Sequence, residues 1–103
     1  MTSFQIREAQ VQDCEAIARY SQDLAWETEH IKLPWSRIHQ GVLTMITDKS
    51  CGFYLVAEVD EANGNKKVIG MVGATYEWSD WRNGRFWWLQ SVYIHPECRN
   101  KGI

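Results

Sequence analysis

Little in this sequence crosslinks the chain or interrupts it. Only 2 prolines and 7 glycines occur in 103 residues, which excludes collagen-like and proline-rich disordered classes. The 3 cysteines, Cys14, Cys51 and Cys98, are odd in number and form no C-x-x-C pair. That excludes a disulfide framework and points to free thiols in a reducing compartment, so the cytoplasm is the expected location. No apolar run approaches the length of a membrane span, and Met1-Thr2-Ser3-Phe4-Gln5-Ile6 has no basic segment leading into an apolar one, so neither an anchor nor a signal is expected. A basic excess is missing as well. Eleven lysines and arginines face 13 acidic residues for a formal net charge of -2, which excludes the electrostatic footprint of a nucleic-acid binder and favours a small-molecule or peptide partner. Neither G-x-S-x-G nor a Walker-type glycine loop occurs, and His30, His39 and Cys98 are not spaced as metal ligands, so hydrolase, nucleotide-triphosphatase and metal-site readings are set aside.

What is present suits one small soluble domain. Hydrophobic residues make up 45% and charged residues 23%, enough to build a core, although a chain this short is at the lower end of what one core sustains. Phe4 to Glu8 alternates apolar and polar residues as a strand does. Cys14, Ile17, Ala18, Ser21, Leu24 and Ala25 then recur at three- and four-residue steps, which predicts a helix over 11–26 with one small-to-apolar face. Glu27 to Leu33 breaks that period. Pro34 suits a first helical turn, and Ile38, Val42, Met45 and Ile46 make a second apolar stripe. After Cys51-Gly52, the alternation of Phe53 to Val59 predicts a strand, and Asp60 to Lys67, with Asn63-Gly64, a turn. Val68 to Trp78 and Arg85 to Ile94 read as two further strands joined at Asn83-Gly84. Gly70 and Gly73 mark a bulge or a close backbone approach. The expected order is strand, two helices, then a three-stranded antiparallel meander.

The stretch from Gln90 to Ile103 carries the most chemistry: an apolar strand ends at His95-Pro96 and gives way to Arg99-Asn100-Lys101-Gly102. Glycine lets backbone N–H groups turn toward an anion and the cations supply charge, so the run has the makings of a phosphate cradle. A solvated turn is the plainer reading of the same four residues.

The wider pattern resembles motif A of the GNAT superfamily of N-acetyltransferases, a strand ending in hydrophobic-x-hydrophobic followed by His-Pro-x-x-Arg-x-x-Gly. Val92, Tyr93, Ile94, His95, Pro96, Arg99 and Gly102 match in order, and the order of upstream elements is similar to that family's N-terminal half. The resemblance implies an α/β (α+β) GNAT-like fold over one domain, residues 1–103, whose C-terminal half is missing. It implies transfer of an acetyl group from acetyl-CoA, the cosubstrate, to an amine of a small molecule or peptide, with little activity in a chain that ends at Ile103. It also implies that the backbone of Val92, Tyr93 and Ile94 pairs with the pantetheine arm, that Arg99, Asn100, Lys101 and Gly102 form the pyrophosphate loop, and that the thiolate-protonating tyrosine comes after Ile103.

Candidate side chains for the reaction are Glu77 and Gln90, which by resemblance bind or activate a water beside the fourth strand, with Ser91 next to them. For the acceptor, Trp26, Glu27, Glu29 and His30 fall in the break between helices, where carboxylates suit a cationic amine, and Glu29 is the chosen ligand. Six tryptophans are many for this length, and Trp78 and Trp81 near a turn either line an acceptor pocket or simply pack. Trp87 and Trp88, being adjacent, must point to opposite sheet faces. A different reading makes the chain an aromatic-rich ligand-binding module; it explains the tryptophans but not the strand-to-loop motif. A fourth strand left as an edge, with apolar side chains and open backbone groups, is also expected to self-associate as a homodimer.

Overall fold

The computed structural model describes residues 4–99. The alternating start forms strand β1 (Gln5–Glu8), and a 3-10 turn at Val11–Asp13 leads into helix α1 (Cys14–Glu29). Asp13 starts the helix by accepting the Gln10 N–H at 2.8 Å, satisfying a donor that a helix beginning leaves open. The helix does not stop at Trp26. It continues through Glu27, Thr28 and Glu29 and ends where His30 takes left-handed backbone, φ 54°. The first three residues of the predicted break, Glu27 to Glu29, are therefore the end of α1, and His30 to Leu33 are the break itself; glutamate is a good helix former, and a lapsed apolar period shows only that a face has turned to solvent. Helix α2 (Trp35–Thr47) follows, with Pro34 immediately before its first residue.

Strands β2 (Gly52–Asp60), β3 (Lys66–Ser79) and β4 (Gly84–Ile94) join β1 in one antiparallel sheet of order β1-β2-β3-β4. The meander is as expected, and so is the role of the two glycines. A Cβ on Gly73 would come within 2.6 Å of the Tyr54 ring, and one on Gly70 within 2.4 Å of Ile94 Cδ1. The β3–β4 register steps from Gly73↔Ser91 to Ala74↔Leu89, so Gln90 is an extra, bulged residue on β4.

Both helices pack on one sheet face. Ile17, Ala18, Val42 and Ile46 meet Tyr54, Val56, Met71 and Tyr93 there, and the wholly buried Ile17, Val42 and Val56 each contribute roughly 1.5–3 kcal/mol. A charged clasp holds the N-terminal edge together. Arg7 of β1 donates to both carboxylate oxygens of Asp13, at 2.7 and 2.9 Å, and to Glu58 of β2 at 2.8 Å. The other sheet face has no helix among the described residues. Ile6, Leu55, Val72, Val92 and Ile94 frame an open apolar hollow of about 230 Å³ on it. Beside that hollow Phe53, Tyr76 and Trp87 form a ring cluster. Trp88 lies on the opposite face against Phe86, so the two adjacent tryptophans do point apart.

Candidate active site

The end of β4 combines an open strand edge with the end of α1. His95 N–H donates to Ile69 O at 2.7 Å across the β3–β4 pair. Because an antiparallel ladder alternates, Tyr93 then turns its backbone toward β3, while Val92 and Ile94 turn theirs to the other side. β4 is the last strand of the sheet, so among the described residues no strand takes up those outward groups. The bulged Gln90 ties its side chain back to β3, Nε2 donating to Thr75 Oγ1 at 2.9 Å.

Between this strand and α1 lie two adjoining hollows of about 490 and 340 Å³, both lined by Leu24, Thr28 and Val92. Glu29, Gln90 and Ser91 line the first. Glu27, Tyr93 and Arg99 line the second. Together they make one groove along the helix side of β4, polar at both ends and apolar in the middle.

The Arg99 end is organised by a carboxylate. Glu27 accepts a hydrogen bond from the Tyr93 hydroxyl and receives Arg99 Nη2 at 3.0 and 3.3 Å. Arg99 Nε donates to Ile94 O at 2.9 Å, and its guanidinium lies 5.0 Å over the Tyr93 ring. The Tyr93 hydroxyl bond, with Arg99 beside it, holds the Glu27 carboxyl below its ordinary value despite some desolvation. Burial, reinforced by Glu27, pushes Tyr93 up to about 12. At neutral pH Tyr93 is therefore a hydrogen-bond donor in the groove and not a base.

The acetyltransferase (GNAT) family model matches residues 8–103 of this sequence. The chain belongs to the GNAT family. Among solved structures, a possible acetyltransferase from Clostridium difficile 630 is 42% identical with a TM-score of 0.86, over 96% of this chain and 62% of that one. Two more distant relatives share the fold. A ribosomal-protein-alanine N-acetyltransferase from Brucella melitensis biovar Abortus 2308 has a TM-score of 0.68 at 18% identity, covering 98% of this chain and 63% of that one. An aminoglycoside N-acetyltransferase in complex with CoA has a TM-score of 0.70 at 17% identity, covering 100% and 62%. No curated protein sequence matches significantly. The chain spans about three fifths of the length of these structures.

Within this GNAT chain the groove gathers Glu29, Gln90, Val92, Tyr93, Ile94 and Arg99 from the sequence expectations. Glu29 does so from the last turn of α1 and not from a loop. Three candidates are placed elsewhere. Glu77 is two residues beyond Thr75 on β3, about 7 Å farther out, with its carboxylate taken by the Trp88 indole N–H. Trp78 and Trp81 belong to the far end of the β3–β4 hairpin, past the last β2 pair Gly52↔Thr75, and line neither hollow. Trp81 is 96% exposed. Asn100, Lys101 and Gly102 lie outside the described residues. Sequence reading passed over Leu24 and Thr28 as wall residues and Glu27 as the partner of Arg99. The signal was there: the steps Ser21, Leu24, Thr28 keep the three- and four-residue spacing of the α1 face into the supposed break.

Proposed function

We propose that this chain supplies the acceptor-side wall and the coenzyme-pairing strand of an N-acetyltransferase that moves an acetyl group from acetyl-CoA to an amine of a small molecule or peptide. The observation that carries this reading is the groove on the open edge of β4, with the outward backbone of Val92 and Ile94 between Gln90 and Arg99. An extended amide-bearing arm pairs with such an edge as an added strand would, which suits pantetheine. Acetyl-CoA, when bound, supplies the acyl group already activated as a thioester. An outward N–H of β4 would stabilise negative charge developing on the thioester carbonyl oxygen.

The acceptor enters from the α1 side. Glu29 offers a carboxylate to a cationic amine, and Gln90 and Ser91 offer hydrogen-bonding groups to orient a water or the amine itself. The residues that follow Arg99, namely Asn100, Lys101 and Gly102, supply the contacts to the pyrophosphate in this reading. No described helix is long and apolar enough to cross a membrane, and the free thiols suit the cytoplasm. Self-association of two copies through the exposed fourth strand belongs to the same proposal, by way of its earlier part around Leu89, which leaves the edge at Val92 and Ile94 to the coenzyme. Calorimetric titration of acetyl-CoA, with thiol release followed over a panel of amines, tests the reading. Saturable binding and amine-dependent release are expected; neither appearing would overturn it in favour of the aromatic binding module.

A further inference from the structure

Arg99 stands where a phosphate-binding cation is expected, yet its side chain is committed inward. Nε holds Ile94 O, Nη2 holds Glu27, and the flat face rests on Tyr93. Turning the guanidinium toward an anion would break all three contacts at once. Its charge is also matched at contact distance by Glu27, which leaves the pair little attraction for an approaching phosphate. The position of Glu27 points the same way. An acidic side chain in the last turn of a helix opposes the helix dipole, and α1 has no basic residue in that turn to offset it. The cation that compensates comes instead from the chain just past the end of β4. Ile94 O is one of the outward groups of the open edge, so the same arginine also closes that edge at its end.

We propose that Glu27, Tyr93 and Arg99 form an internal tie, in which Arg99 is a positioning residue that anchors the start of the loop after β4 to α1 and is not itself a phosphate ligand. The inference rests on the coenzyme reading of β4 given above and deepens it: phosphate recognition passes to the groups that follow Arg99, with Lys101 the cation among them. Glu27 and Tyr93 act on the coenzyme only through Arg99.

The test is a double-mutant cycle on the full chain with Glu27→Ala, Arg99→Gln and the pair together, read as CoA affinity by calorimetry at several salt concentrations. The tie predicts that each single variant and the double weaken CoA by the same factor, about threefold to tenfold, because breaking one contact twice costs no more than breaking it once. It also predicts that the salt dependence of binding stays unchanged, since no charge that meets the phosphates has been removed. Arg99→Lys keeps the charge but loses the fork, and should behave like Arg99→Gln. The opposite pattern overturns the proposal: Arg99→Gln alone weakens binding and flattens its salt dependence, Arg99→Lys retains affinity, and Glu27→Ala is neutral or tighter. Urea unfolding of the same set gives a readout independent of coenzyme, and additive effects of the two single variants there would also overturn the tie. Absence of CoA binding by the unaltered chain would instead bring down the coenzyme reading itself, a result distinguishable from any pattern among the variants.

Discussion

Replacing Arg7 by methionine should remove a large part of this domain's stability, and in a pH-dependent way. Arg7 makes four hydrogen bonds to carboxylates, at 2.7 and 2.9 Å to Asp13 and at 2.8 and 3.2 Å to Glu58. The side chains of Asp13 and Glu58 are only 5% and 12% exposed. Without the guanidinium, two desolvated carboxylates share one corner of the sheet. Breaking a buried pair from one side costs about 3–5 kcal/mol, and since Arg7 is itself 26% exposed, water should relieve part of this and leave about 2–4 kcal/mol. Against a total of about 5–15 kcal/mol that is a large share, and it corresponds to a fall of roughly 10–25 °C in Tm for a domain of this size. Urea unfolding followed by tryptophan fluorescence measures it.

The pH dependence follows from Asp13. Burial pushes its carboxyl up, but the Arg7 hydrogen bonds, the Gln10 N–H and the guanidinium charge together outweigh burial and hold it below the ordinary 3.8. A carboxyl depressed in the folded state contributes stability above its unfolded value and loses it as pH falls through the folded one. In Arg7→Met, burial loses its main opponent and Asp13 takes up a proton more readily folded than unfolded. The deficit should therefore be largest at neutral pH and shrink toward about pH 4, and Arg7→Met with Asp13→Asn should recover part of the loss at neutral pH. A deficit under about 1 kcal/mol at neutral pH, or one that does not shrink in acid, would refute the reasoning.

Other substitutions test the sheet and its open side. Gly73→Val drives a side chain into the Tyr54 ring, where a Cβ already comes within 2.6 Å, and should cost about 1–3 kcal/mol in urea unfolding. Gly41→Ala, in α2 with nothing within 4 Å of the added methyl, should instead raise stability by about 0.5–1 kcal/mol by the same measurement. Leu89, 69% exposed on the edge strand, should support self-association: sedimentation is expected to find dimer in the unaltered chain and monomer in Leu89→Lys.

Much of the fold was legible because its elements follow their own periods. The α1 series from Cys14 to Ser21 became the buried helix face, and Gly70 and Gly73 became close approaches. The end of α1 was misread because Glu27 and Glu29 carry no apolar signal, although nothing in them stops a helix. In the candidate site, Gln90, Val92, Tyr93, Ile94 and Arg99 were legible from one contiguous motif. The Glu27–Arg99 contact was not, because it joins positions 72 residues apart through a helix end whose location had been missed.

The tryptophans show a deeper reason for what stayed hidden. Strict alternation along β4 would put Trp87 and Leu89 on the same face as Ser91 and Tyr93, toward the helices. The bulge at Gln90 adds one residue and reverses that parity, so Trp87 joins Phe53 and Tyr76 on the helix-free face while Tyr93 still reaches Glu27. Leu89, opposite Ala74, goes with Trp87. One inserted residue thus separates two jobs of a single strand, an aromatic cluster at its start and a groove wall at its end. It also places Gln90 at the changeover, where its side chain is held by Thr75. No apolar pattern in the sequence announces the change, because both parities leave large side chains on both faces. What decides between them is the ladder with β3, where Gly73 gives Tyr54 room beneath the register shift.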